Sequence, residues 1–127
     1  MTGGWTTTKI AEVYNPESGS ICKLPDLPDE RTGHSQDGGL LCGGGNINVT
    51  KTSCLQWSTD SGSWEKSHVF QIERIEHSSW TPTSGAGTYL FGGIFGNDAT
   101  TGRTTEIVKP DGSYIDSGFK LEHGYLW

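Results

Sequence analysis

Positive charge is scarce in this sequence: 9 Lys and Arg stand against 15 Asp and Glu, for a net charge of −6, and the cations form no stripe. That excludes a phosphate backbone as the main partner, because nucleic-acid binding needs clustered cations, so no nucleic-acid role is expected. Apolar length is scarce too. Hydrophobic residues make up 31% of the chain and no run reaches 18, so no membrane-spanning helix is expected. Met1-Thr2-Gly3-Gly4 enters directly into patterned sequence, so any secretion signal would have to lie upstream. Ala and Leu are sparse and 19 glycines punctuate the chain, which leaves no segment able to sustain a long helix. Low apolar content with net charge also suits a disordered chain. Here, however, the aromatic and β-branched residues sit in short runs separated by turn signals, and an all-β fold is expected.

What is present is a repeat. Arg31-Thr32-Gly33-His34-Ser35 leads to Leu40-Leu41-Cys42-Gly43-Gly44-Gly45, then to Cys54-Leu55-Gln56-Trp57, the turn Asp60-Ser61-Gly62-Ser63, and Trp64. The same order returns as Arg74-Ile75-Glu76-His77-Ser78, Tyr89-Leu90-Phe91-Gly92-Gly93, Glu106-Ile107-Val108 and Pro110-Asp111-Gly112-Ser113-Tyr114. A third start, Lys120-Leu121-Glu122-His123-Gly124, closes the chain, and Gly3-Gly4, Ala11-Glu12-Val13-Tyr14 and Pro16-Glu17-Ser18-Gly19-Ser20 open it in mid-repeat. Arg31 and Arg74 are 43 residues apart, and His77 and His123 are 46 apart. A period of roughly 40 to 50 residues points to propellers or solenoids. Punctuation divides each repeat into four strands: one carrying R-x-x-H-S, an apolar one ending in Gly-Gly, an Ile-Val or Leu-Gln-Trp one, and one starting at the aromatic after the D-x-G turn.

The order of Arg and His-Ser, double glycine, spaced aromatics and turn aromatic resembles the Kelch repeat over nearly the whole chain. The resemblance implies four-stranded antiparallel blades of a β-propeller and a platform for binding another protein, or a glycan, rather than an enzyme; the alternative is a fragment of a propeller enzyme such as a sialidase-like glycosidase or a copper radical oxidase. Arg31, His34, Gly43, Gly44, Trp57, Trp64, Arg74, His77, Gly92, Gly93 and Tyr114 carry the motif. Ile21 and Val108 stand where the pattern has aromatics, and Cys42 precedes the glycines, departures that look more like secreted invertebrate Kelch-type proteins. The blades would be 29–70 and 71–118, with a partial blade at 1–28 and the start of another at 119–127. An array of two to three blades is incomplete for a closed propeller, which has about four to eight. The rest of a longer propeller, further copies of the chain, or a free-standing stack are the alternatives.

Cys42 and Cys54 flank a hairpin connection and are the disulfide candidates, with Cys22 left over at the end of a strand; three reduced thiols are the alternative. Asn48-Val49-Thr50 is a glycosylation sequon and, with the cysteines, favours an extracellular setting. His34, His77 and His123 invite a metal reading, but equivalent positions of successive repeats fan apart, so structural histidines and no metal or cofactor are expected. Arg31, Arg74 and Lys120 are expected to hold carboxylates and carbonyls. Ser58–Trp64 is one residue short of a sialidase Asp-box, itself a structural turn, and the arginine cluster, Tyr nucleophile and paired Glu of such an enzyme are unmarked. Tyr89 and Cys42 lie on separate repeats, without the motif of a copper radical oxidase. The carboxylates of Leu24–Glu30 are expected to face solvent. Binding is expected at one end of the stack, through segments 35–39, 81–88, 45–53 and 94–104, with Asn46, Trp80, Phe95 and Asn97 as contacts.

Overall fold

The structure is a computed structural model that describes residues 8–46, 49–94 and 101–123. It is all-β, with one short 3₁₀ turn at Thr101–Arg103 among the described residues. Strands β1 (Ala11–Asn15) and β2 (Ser20–Leu24) form a hairpin. A four-stranded antiparallel meander follows: β3 (Ser35–Asp37), β4 (Leu40–Cys42), β7 (Ser53–Ser58) and β8 (Ser63–Val69), with the small ribbon β5 (Gly45–Asn46) and β6 (Val49–Thr50) between β4 and β7. The second meander repeats that order in β9 (Ser78–Trp80), β10 (Thr88–Phe91), β11 (Thr104–Val108) and β12 (Tyr114–Lys120).

Turn chemistry explains where strands reverse. Gly19 and Gly62 end four-residue hairpin loops at positive φ, their N–H groups donating to Asn15 and Ser58 carbonyls at 2.9 Å each. Strand one is shorter than its sequence pattern suggests, beginning at Ser35 and at Ser78 rather than at the preceding arginines. The cause is local: Gly33 and Glu76, each two residues past its arginine, take left-handed φ of 62° and 53° and interrupt the strand. Upstream of that break, Thr32 pairs with Gly45 and Ile75 with Ile94 as isolated bridges.

The double glycines lie where backbones crowd. A Cβ on Gly44 would come within 2.6 Å of Thr32 O and 2.8 Å of His34 Cβ, and one on Gly93 within 2.7 Å of Ile75 O and 2.8 Å of His77 Cβ. The same fold of strand two onto strand one is thus built twice. Gly43 meets the segment that leads into the second meander instead, where a Cβ would reach 2.6 Å from His77 and 2.8 Å from Arg74 O.

The two meanders stack face to face. Alternation along β4 and β7 sends Leu41 and Leu55 to one side, where they pack with Leu27 and the half-buried Trp64. Leu40, Cys42 and Cys54 face the other side and meet Phe70, Leu90 and Val108. Cys42 and Cys54 are register partners joined by a disulfide; Cys22 is exposed in the middle of β2, not at a strand end. Trp57 and Trp64 are also paired, ring edge to face at 5.4 Å.

Each repeat is locked by a buried guanidinium. Arg31 donates from Nη1 to Gly43 O (2.9 Å) and Ser53 O (2.6 Å), and Arg74 makes the corresponding bonds to Gly92 O (2.7 Å) and Thr104 O (3.1 Å). Their carboxylates come from different places. Arg74 pairs with fully buried Glu106 on β11 at 3.2 Å, whereas Leu55 stands at that position in the first repeat and Asp29 serves Arg31 at 2.7 Å. The acidic segment before Arg31 is therefore not only a solvent face. Asp29 also meets Lys51 at 3.5 Å, and Leu27 is core. Burial raises the Asp29 carboxyl, but the hydrogen bond and charge of Arg31, helped by Lys51, outweigh it and hold the group below the usual carboxylate range.

Arg74→Met should cost about 3–5 kcal/mol, since it strands a buried Glu106 charge and two carbonyls. Adding Glu106→Leu, the residue type of the first repeat, should recover part of that loss. Urea denaturation of both variants checks this, and a cost below about 1 kcal/mol for the single change would contradict it.

Candidate functional site

Because β4 runs antiparallel between β3 and β7, its two connections leave from opposite ends. The expectation that segments 35–39, 81–88, 45–53 and 94–104 share one end is therefore corrected. Residues 35–37 are strand β3 itself, 38–39 are its turn, and the connections between strands two and three lie at the far end. The β3–β4 turn and the 81–88 segment do converge. They flank a cleft of about 410 Å³ between the two meanders, whose lining includes Leu40, Val108, Gln56, His68 and Lys109.

Backbone and side-chain clasps shape the cleft. Gly38 turns at φ 57°, and Asp37 Oδ2 accepts the Thr81 N–H across the gap at 2.6 Å. The hydroxyls of Thr81 and Thr88 meet at 2.8 Å and close the base of the 81–88 loop, inside which Gly85 N–H donates to Pro82 O at 3.0 Å. Asp37 is the carboxylate among the lining residues, and it already serves the Thr81 amide. What remains for a ligand is the Lys109 ammonium, the Gln56 side-chain carbonyl, whose Nε2 already donates to Trp57 O at 3.3 Å, and the His68 imidazole, whose Nδ1 lies against Ser67 Oγ. This set donates and accepts hydrogen bonds and offers one cation; it holds no pair of carboxylates for acid and base roles.

The sequence-designated contacts are scattered. Trp80 ends β9 and packs on Tyr89 with ring centres 5.7 Å apart, on the outer face of the second meander rather than in the cleft. Asn46 is in the β5–β6 ribbon at the far end. Asn48, Phe95 and Asn97 lie outside the described residues. Gln56, His68 and Lys109 were not singled out as contacts. Gln56 and His68 fall in long strands, where only pairing register brings them to the cleft, and Lys109 opens a turn that sequence marks as punctuation.

Among the described residues, no three His, Cys, Asp or Glu side chains are grouped to hold a metal ion, and no helix is long and apolar enough to cross a membrane. No protein-family model matches the chain, and no curated protein matches it.

His77 connects the two meanders. Its Nε2 lies 2.8 Å from Ser35 Oγ, while Nδ1 is buried with no hydrogen-bond partner among the described residues. We assign the Nε2–H tautomer, donating to Ser35, because a bare lone pair at Nδ1 is cheaper to bury than an orphaned N–H. Burial first, then the charge of Arg74 and the neighbouring His34, hold His77 down to about 3. The unfolded chain takes up this proton near pH 6.5, the folded one not until about 3, so the contribution is complete above 6.5 and is lost as pH falls through that window. At pH 5 the loss from this group should be about 2 kcal/mol. His77→Gln, which keeps a donor for Ser35, should remove that part of the decline between pH 7 and 5 in paired urea titrations; carboxylate contributions common to both proteins cancel. Equal declines in the two proteins would contradict the assignment.

Proposed function

We propose that the chain is a recognition module built from Kelch-type propeller blades, binding another protein, or a glycan, through the cleft between the β3–β4 turn and the 81–88 loop. The observation that carries the reading is the convergence of these two loops, each the connection between strands one and two of its own repeat, on one cleft. Two four-stranded meanders that repeat the same strand order and stack on each other support the blade reading. The Cys42–Cys54 disulfide supports an extracellular setting, since oxidising compartments preserve such bonds. A single, already occupied carboxylate favours binding over glycoside hydrolysis.

Peptide and glycan arrays probed with the purified chain and with Gln56→Ala/Lys109→Ala test the reading. Bound signals should fall at least about tenfold in the variant at unchanged melting temperature, as removal of two unburied ligand contacts implies. Array binding indifferent to the variant, or turnover of aryl glycosides or primary alcohols by the chain, would overturn it.

A further inference from the structure

The outer face of the second meander is apolar and, among the described residues, uncovered. Trp80, Tyr89, Phe91, Ile107, Phe119 and Leu121 line a groove of about 460 Å³ there, with Trp80 56% and Phe119 72% exposed. Repeat order identifies this surface. Tyr89 and Phe91 stand where Leu40 and Cys42 stand in the first meander, and Thr105 stands where Cys54 does. In the first meander those positions are covered, by Leu90 and Val108 of the second meander together with Phe70 of the segment that joins the two. The groove is thus the continuation, one repeat on, of an interface already present inside the chain.

The matching cover lies at the opposite end of the same molecule. Tyr14 and Ile21 are register partners in the β1–β2 hairpin, as Trp57 and Trp64 are in the first meander and Val108 and Tyr114 in the second. Tyr14 therefore holds the position of Val108, one of the covering residues, yet it is 50% exposed, and Ile21 is 60% exposed. Lys120, read from the sequence as a third counterpart of Arg31 and Arg74, instead ends β12 opposite Thr104, the place Val69 holds opposite Ser53 in the first meander, so it does not repeat the arginine. One end of the chain carries the groove, and the other carries the cover.

We propose that this chain binds a second copy of itself head to tail, the groove of one molecule covered by the Tyr14–Ile21 face of the next. Such a contact is heterologous, so it closes into a ring or extends into a chain according to the rotation between repeats. Burying Trp80, Phe91 and Phe119 supplies the driving force, because exposed apolar surface of this extent is otherwise unusual on a monomer.

Light scattering on a size-exclusion column tests the proposal, in a Cys22→Ser background so that the exposed thiol forms no intermolecular bond. The parent should show mass rising in multiples of the chain with concentration. Phe119→Asp and Ile21→Asp, both at exposed positions, should each be monomeric with unchanged melting temperature. Their mixture should form a one-to-one dimer and stop there, because each contributes its single intact face. A parent that stays monomeric through the micromolar range would overturn the proposal. So would association that persists in Ile21→Asp alone, which would mean two grooves pairing with each other, or a mixture that fails to form the dimer.

Discussion

The buried arginine of each repeat is the interaction on which the rest depends. Its guanidinium gathers the carbonyl that ends strand two and the carbonyl that begins strand three, Gly43 with Ser53 and Gly92 with Thr104. Those two points are far apart in sequence and are bridged by long connections, so backbone pairing alone would leave the approach of the two strands loosely specified. A planar donor with five N–H groups fixes both at once. Close approach then demands glycine beside it, since a Cβ at Gly44 or Gly93 would collide with the strand-one backbone. The double glycine and the arginine are one device: one makes the space, and the other holds the strands within it.

The same device couples repeats. Arg74 O accepts the Gly44 N–H at 2.9 Å, Gly33 O accepts the Glu76 N–H at 2.6 Å, and His77 reaches Ser35. The second arginine segment is therefore part of the first meander's environment as well as its own. Clasping at this end leaves the opposite, turn-bearing end to open into the cleft, where Asp37 and Thr81 form the tie. A recognition role for that cleft follows from rigid walls carrying polar groups that the fold does not fully use.

Much of the architecture was legible because the repeat shows it twice. Apolar runs ending in Gly-Gly mark strand two in both copies, and the Gly-containing turns mark the hairpins, so the strand order could be read from punctuation. The Cys42–Cys54 pairing was open in sequence because a disulfide needs register, which β4 and β7 supply. Three things were hidden. The break in strand one depends on left-handed φ at Gly33 and Glu76, and the second of these is a residue that gives no such signal. The substitution of Leu55 for Glu106 moves the charge partner of Arg31 into the preceding loop, which made Asp29 look like a solvent-facing acid. The cleft residues Gln56, His68 and Lys109 belong to three different elements, and only the stacking of the meanders brings them together.

Native-state hydrogen exchange of the Gly44 and Glu76 amides tests most directly whether the arginine and double-glycine junction welds the two meanders into one unit. Both donate to carbonyls of the neighbouring repeat, so both should exchange as slowly as amides of the central strands β4 and β7, through global opening alone. Exchange at the rate of exposed loop amides, with β4 and β7 still protected, would show two meanders that open independently and would contradict a shared junction.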